Sequence, residues 1–331
     1  MILGLLLATI GLALVFDFTN GFHDTANAIA ASVSTHSLTP RTAVILSGAC
    51  NLVGAVVTVL VFGSAVSNTI GHLLLRPAIT DIAAGLIGAT IWNLITWYRA
   101  LPSSSTHAFI GGLMGAGVAA GGLGAVHWSA LGVVVIGLVI SPPIGFVLTF
   151  GVIVLLYWLI RDARPRKANR AFRLLQIPTS ALLSYSHGSN DAQKSMAAMT
   201  LALLVTGQLA HFQVPVWVAV IAAIAIAVGT YAGGWRIMRT LGWRVYRLEP
   251  VTGMAAQLTS TVVILAGTGL GLPVSTTHVV TGSVLGAGSP KGLSGGAWAL
   301  AADIVVAWVL TIPASAVIGW VIYAILHTAG L

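Results

Sequence analysis

Long apolar segments separated by short polar stretches recur along the whole chain. Runs of roughly 18 or more apolar residues, the length that a helix needs to cross a bilayer, occur in both halves. The first, "MILGLLLATIGLALVFD", has neither a basic segment before it nor a small-residue cleavage site, so we interpret it as a membrane helix rather than a removable signal peptide. The pattern predicts an all-α, polytopic integral membrane protein.

Composition and charge agree with this prediction. Of the 331 residues, 57% are hydrophobic and only 7% are charged, whereas a soluble domain usually carries about 25% charged residues. The net charge of +8 comes mainly from two basic segments, 161–173 and 236–247. The apolar chain between them is long enough for two crossings, so both segments can face the cytoplasm. No soluble domain in which aromatic residues alternate with basic ones accompanies these segments, which argues against nucleic-acid binding.

Two similar polar motifs interrupt the apolar pattern, one in each half. "NGFHDTANAIA" begins at Asn20, and "HGSNDAQKSMA" begins at His187. An ionised aspartate at the centre of a bilayer costs ~2.5–3.5 kcal/mol on insertion scales, so such residues are usually functional or paired. Aligned on their aspartates, the motifs pair His23 with Asn190, Asp24 with Asp191, and Asn27 with Lys194.

A second pair of motifs follows in the same order. "LPSSSTH" begins at Leu101, and "LPVSTTH" begins at Leu272. From the motif aspartate to the motif histidine the chain runs 83 residues in the first half (24 to 107) and 87 in the second (191 to 278). Two motifs in the same order at nearly the same spacing indicate a duplication. We therefore predict a first transmembrane repeat at 1–160, a basic linker at 161–173 and a second repeat at 174–331.

The charge of equivalent loops predicts that the two repeats are inverted. Segment 63–76 contains one arginine, and its counterpart 236–247 contains four. The positive-inside rule then places these loops on opposite sides of the membrane. Inverted-topology repeats are typical of secondary transporters, whose sites lie near the membrane midplane. The N-terminus is expected outside and the 161–173 linker in the cytoplasm.

The hydroxyl-rich motifs predict helix starts that can bind an anion. Proline fits the first turn of a helix, and serine or threonine caps its free backbone N–H groups. The glycine-rich segment 111–122 suits a short packed helix or a re-entrant hairpin, which is tolerated at membrane depth only where protein or a cavity surrounds it. Helix N-termini attract anions. The candidate substrate-binding hydroxyls are those of Ser104, Ser105, Thr106, Ser275, Thr276 and Thr277.

The same motifs do not predict an enzyme. Adjacent serine and histidine side chains at a helix start do not point at one another. The sequence also shows no pattern of a nucleophile, a general base and a residue that orients the base. No cofactor is expected. His107 and His278, which follow the hydroxyls directly, could donate to a substrate or brace the hairpins.

The motif aspartates indicate that a cation enters with the anion, because carboxylate and anion repel strongly at low dielectric. Asp24 and Asp191, with Asn27, Asn190 and Gln193, supply hard oxygen ligands suited to Na⁺; alternatively, the carboxylates take up protons. Lys194 could neutralise Asp191 or contact the anion.

His23 favours protons over Na⁺ as the coupling ion. It precedes Asp24, so one repeat offers an imidazole where the other offers the amide of Asn190. Imidazole changes charge near neutral pH, and an amide does not. A protonated His23 would also offset the repulsion between Asp24 and phosphate. A neutral His23 that only orients Asp24 would leave Na⁺ as the driver.

Four stretches of the chain resemble the paired signatures of the inorganic phosphate transporter (PiT) family: "GFHDTANAIA", "IWNLITWYRALPSSSTHAFIGG", "SHGSNDAQKSM" and "LPVSTTHVVTG". The resemblance implies a phosphate symporter of the cytoplasmic membrane, driven by H⁺ or Na⁺, with inverted repeats, broken helices and a homodimeric assembly. The "GFHDTANA" form resembles the bacterial low-affinity permeases, which implies proton coupling and metal-phosphate as cargo. A sulfate permease of the same fold and a passive anion channel or uniporter remain alternatives.

The resemblance also implies roles for individual residues. It implies that Asp24, Asn27, Asn190 and Asp191 surround the coupling ions and that the hydroxyls of both "LP" motifs hold phosphate.

Overall fold

The protein is nearly all helical, as predicted. The computed structural model describes residues 2–232, 248–292 and 295–330, and these contain no named β-strand. Seven of the described helices are long and apolar enough to cross a membrane. The basic segment 236–247, which was predicted to be cytoplasmic, lies outside the described residues.

The two halves contain long helices and helical hairpins in the same order. The first half comprises α1 (Ile2–Ser34), α2 (Pro40–Val57), α3 (Ala65–Gly71), α4 (Ile79–Tyr98), α5 (Ser105–Gly121) and α6 (Trp128–Leu159). The second comprises α7 (Pro165–Val205), α8 (Val216–Ala232), α9 (Pro250–Gly269), α10 (Thr276–Gly288) and α11 (Gly295–Thr328).

Most of the basic segment predicted as a linker is helical. Only a short turn precedes Pro165, which occupies the first position of α7, so residues 165–173 form the start of that helix. Proline suits a helix start, and the arginine, lysine and alanine residues that follow are good helix formers. The arginine and lysine side chains are exposed. The separation between the predicted repeats is therefore a tight turn rather than an extended loop.

The motif helices each contact the opposite half through a glycine. A Cβ on Gly21 of α1 would overlap the carbonyl of Ile226 in α8, and a Cβ on Gly188 of α7 would overlap the carbonyl of Asn51 in α2. Small residues allow helix backbones to approach closely in membrane proteins. The motif glycines thus bring α1 onto α8 and α7 onto α2 in mirrored contacts.

The two helical hairpins also pack across the halves. The glycine-rich face of α5 lies on α11, where a Cβ on Gly115 would overlap the carbonyl of Ala316. In the same way, α10 lies on α6, where Gly286 meets the carbonyl of Phe146. The close packing predicted for the segment after the first hydroxyl motif is confirmed.

Each hairpin consists of a longer first helix and a shorter second one. Residues 99–104 join α4 to α5, and residues 270–275 join α9 to α10. The first helices begin with equivalent caps. Asp81 accepts a 2.8 Å hydrogen bond from the backbone N–H of Ala78, and Thr252 accepts one of 2.9 Å from Glu249. The hairpin tips carry the hydroxyl motifs and contact the polar segments of α1 and α7.

Candidate functional site

Serine side chains cap the second helix of each hairpin, as predicted. The Ser104 hydroxyl accepts a 3.1 Å hydrogen bond from the backbone N–H of His107, and Ser275 accepts one of 3.3 Å from His278. Pro102 and Pro273 precede these caps and lie outside the helices, so the prediction that they occupy the first turn is wrong. The capping serine determines where the helix begins, and the prolines fall in the extended segment before it.

Asp24 accepts hydrogen bonds from both hairpin tips. Ser105 Oγ of α5 donates to Asp24 Oδ2 at 2.8 Å, and Thr277 Oγ1 of α10 donates to Oδ1 at 3.1 Å. His23 Nδ1 lies 2.7 Å from the same Oδ1 atom. Asp24 is 1% exposed. One buried carboxylate of α1 therefore joins the two tips.

Asp191 is paired with a lysine on its own helix. Lys194 Nζ lies 2.8 Å from Asp191 Oδ2, and both side chains are fully buried. The same ammonium donates to Ser105 Oγ at 2.9 Å and to Thr106 Oγ1 at 3.2 Å. Lys194 thus connects the carboxylate of α7 to the hydroxyls of the first tip.

These contacts form one central cluster. A carboxylate oxygen of each aspartate and a ring nitrogen of His187 all lie within 4.8 Å of one another, a spacing that a bound cation could bridge. With both aspartates ionised, the two carboxylates outnumber the single ammonium by one charge. An anion that enters this cluster needs an additional cation to offset the repulsion. The cluster consists of Asp24, Asp191, Lys194, Ser105, Thr106 and Thr277.

Asn27 contacts the central cluster, whereas Asn190 contacts α9 and the loop after it. Asn27 Nδ2 donates to Thr277 Oγ1 at 2.8 Å, and Asn190 Nδ2 donates to Thr268 Oγ1 at 2.9 Å. The amide oxygens of both asparagines are buried and have no hydrogen-bond partner among the described residues. They are available as ligands for a cation. Thr276 is buried at the first turn of α10, next to Thr277.

Gln193 does not join the central cluster. Its Oε1 accepts a 3.1 Å hydrogen bond from the backbone N–H of Ser67 in α3, and its Nε2 donates to the carbonyl of Ser189. Residues two apart on a helix do not face the same way, so Gln193 points away from the side of α7 that carries Asp191. Its contacts are those of a residue that joins α7 to α3.

Two residues that the sequence analysis did not select do contact the central cluster. Asn20 Nδ2 donates to Asp191 Oδ2 at 3.3 Å, and His187 Nε2 lies 3.3 Å from the same oxygen. Each occupies the first position of its motif, four residues before the motif aspartate. A polar residue one helical turn before a buried aspartate was the signal that could have identified His187. Asn20 contacts the aspartate of the other motif, which its place in the sequence did not indicate.

The histidine rings of the two hydroxyl motifs are in contact, with their planes tilted by 32°. The ring centroids of His107 and His278 are 4.5 Å apart, and Trp308 stacks on His278 at 3.7 Å. Trp308 Nε1 also donates to the carbonyl of Pro102 in the first hairpin loop. Of the two alternatives, this geometry supports bracing of the hairpins.

A polytopic helical protein whose buried charges meet at the tips of two hairpins has the architecture of a membrane transporter. The comparisons with known proteins agree: residues 20–319 match the phosphate transporter family, and the chain belongs to that family. It is 42% identical over 316 residues to a protein of Bacillus subtilis (strain 168) described as a "Probable low-affinity inorganic phosphate transporter", covering 95% of each chain. A Rhizobium meliloti (strain 1021) protein with the same description is 42% identical and covered to 96% in both chains. The chain is thus a transporter and not an enzyme.

A solved structure has the same fold. "The sodium-dependent phosphate transporter" superimposes with a TM-score of 0.85, covering 98% of this chain and 99% of the other. The sequences are 24% identical, so this likeness concerns the fold.

Proposed function

We propose that this protein imports inorganic phosphate across the cytoplasmic membrane by symport with a cation. One observation carries the proposal: hydroxyl donors from both hairpin tips meet two aspartates and a lysine in one buried cluster. The family description and the names of the similar proteins support phosphate as the anion.

Phosphate would bind at the hairpin tips. Ser105 and Thr277 donate to Asp24, and a bound phosphate would receive these hydroxyl donors in its place. Lys194 already bonds the Ser105 and Thr106 hydroxyls, so its ammonium is positioned for an anion held there. The proposed substrate-binding residues are Ser104, Ser105, Thr106, Ser275, Thr276, Thr277 and Lys194.

The coupling cation would bind at the motif aspartates. When Ser105 and Thr277 donate their hydrogen bonds to phosphate instead, Asp24 remains as a buried charge that must be neutralised. We favour a proton, because the imidazole of His23 is hydrogen bonded to Asp24 and is itself fully buried. The alternative is a Na⁺ ion held by carboxylate and amide oxygens; metal-phosphate is a further form of the cargo. The proposed ion residues are His23, Asp24, Asn27, Asn190 and Asp191.

The proposal includes an inverted pair of repeats, 1–160 and 174–331, in a homodimer. The mirrored contacts of Gly21 with α8 and Gly188 with α2 support the repeat. The exposed basic residues of 161–173 support a cytoplasmic location for that segment, and the N-terminus is then outside.

Uptake into liposomes that contain the purified protein tests this function. An imposed cation gradient should drive phosphate accumulation against a phosphate gradient, and parallel arms with a proton gradient alone and a Na⁺ gradient alone identify the ion. Uptake that ignores every cation gradient would indicate a channel or uniporter. Sulfate uptake that excess phosphate does not diminish would indicate a sulfate permease.

A further inference from the structure

The motif aspartates of the two halves have different hydrogen-bond and ion-pair partners. In the first half, Asn27 donates to Thr277 at 2.8 Å, and Thr277 donates to Asp24 at 3.1 Å. In the second half, Lys194 takes the place of Asn27. It donates to Thr106, the counterpart of Thr277, at 3.2 Å, and it also reaches Asp191 directly at 2.8 Å. The longer side chain adds an ammonium contact that the first half lacks.

This difference determines which carboxylate carries an uncompensated charge. Asp191 and Lys194 are both fully buried, and the ammonium is attached to the protein. Among the described residues, the only ion-pair partner of Asp24 is His23, whose ring is charged only when it carries an additional proton. A buried carboxylate without a charged partner is costly. Asp24 therefore needs a mobile cation, and Asp191 already has a fixed one.

The oxygen atoms available as ligands also favour a cation site at Asp24. Asn27, one turn after Asp24 on α1, keeps a buried amide oxygen that has no hydrogen-bond partner among the described residues. The amide oxygen of Asn190 also has none, but Asn190 directly precedes Asp191, and adjacent residues on a helix do not face the same way. The Asn27 oxygen is a suitable ligand for a hard cation next to Asp24. The ammonium of Lys194, at the equivalent position, has only hydrogen-bond donors and repels a cation.

We infer that Lys194 is a built-in cation that occupies the position of a mobile coupling cation at Asp191, so that each transport cycle couples to a cation at Asp24 alone. The inference rests on the proposed function and narrows its ion site. Because the ammonium moves with the protein and not with the cargo, it lowers by one the number of cations carried per phosphate.

Lys194→Asn tests this inference, because it gives the second half the residue of the first. The charge moved per phosphate is measured in liposomes, as the membrane potential that just balances the imposed phosphate and cation gradients. The variant should move about one more elementary charge per phosphate than the wild type, and its uptake should depend more steeply on cation concentration. Lys194→Arg keeps the charge and should keep the wild-type ratio.

Lys291→Asn is the matched control. Lys291 is exposed and lies 2.6 Å from Glu249, away from the central cluster. Burial by itself would lower the pKa of Lys291, but hydrogen bonds to Glu249 and Tyr157 raise that pKa above its usual value, so the control also removes a protonated lysine. The charge moved per phosphate should not change in this variant.

A second readout does not depend on transport. Without phosphate, the thermal unfolding midpoint of purified Lys194→Asn should rise with cation concentration more than that of the wild type, because a mobile cation now binds at Asp191. If this variant does not fold, Lys194→Gln replaces it.

Three results have distinct meanings. An unchanged charge ratio together with a wild-type response of the unfolding midpoint would overturn the inference. Loss of phosphate binding at every cation concentration, together with a wild-type response of the unfolding midpoint, would overturn it as well, because Lys194 would then act only as a ligand of the anion. Wild-type protein that ignores all cation gradients would instead contradict the proposed function.

Discussion

Ser105 Oγ donates a 2.8 Å hydrogen bond to Asp24 Oδ2, which joins the tip of the first hairpin to α1 across 81 residues of chain. Thr277, from the second tip, donates to the other oxygen of the same carboxylate. Both oxygens of Asp24 are thus occupied by hydroxyls that a bound anion would need. Anion binding and neutralisation of Asp24 are therefore linked, and this linkage is the physical basis of the proposed symport.

Replacement of Asp24 by asparagine should abolish concentrative uptake. The amide retains one acceptor oxygen for Ser105 or Thr277, but the charge that a coupling cation neutralises is gone. Phosphate inside liposomes should then rise no higher than outside, whichever gradient is imposed. Asp303→Asn is the control, since Asp303 is exposed on α11 and its loss should leave accumulation intact. Accumulation by Asp24→Asn at the wild-type level would remove Asp24 from the coupling site.

His23→Asn should weaken the pH dependence of uptake and leave phosphate binding measurable. The variant has the same amide before the aspartate as the second half, where Asn190 precedes Asp191, and an amide cannot carry a proton at neutral pH. Initial uptake rates across a pH series would show the change as a flatter profile.

The control for His23 is His36→Asn. His36 is exposed, and its backbone φ of 58° is in the left-handed region that asparagine tolerates well. This variant should retain the wild-type pH profile. Wild-type uptake that requires Na⁺ at every pH and ignores a proton gradient would show that protons are not the coupling ion.

Gly115→Ala should destabilise the protein, because the added methyl group would overlap the carbonyl of Ala316 where α5 packs on α11. Overpacking of this kind costs about 1–3 kcal/mol, so the thermal unfolding midpoint in detergent should fall. Gly286→Ala should behave alike at the contact of α10 with α6. At Gly132 of α6 an added Cβ meets no atom within 4 Å, and Gly132→Ala should leave the midpoint unchanged or slightly higher.

Segments 161–173 and 236–247 should be accessible from the cytoplasm, and segment 63–76 from outside. Single cysteines placed in each segment, in a protein in which Cys50 is replaced by serine, can be tested with a membrane-impermeant thiol reagent added to intact cells. Only the 63–76 cysteine should react before the membrane is opened. Labelling of 63–76 and 236–247 from the same side would rule out inverted repeats.

The helical architecture could be predicted from the sequence because its causes are local. Apolar runs of membrane length and serine caps act within a few residues, and the serine caps at Ser104 and Ser275 were found where predicted. Local rules were incomplete at the helix boundaries. The prolines of the hydroxyl motifs lie before the caps, and most of the predicted basic linker is the start of α7.

The sequence by itself determined which polar residues of the two halves correspond, because the motifs recur in the same order at similar spacing. Only the tertiary structure decided what each one contacts. Gln193 turns to α3, whereas Asn20 and His187 reach Asp191. These contacts depend on how α1, α7 and the hairpin tips approach one another, and glycines at distant positions in the chain allow that approach. A residue's place in a motif does not specify the direction of its side chain or the partner that another helix brings to it.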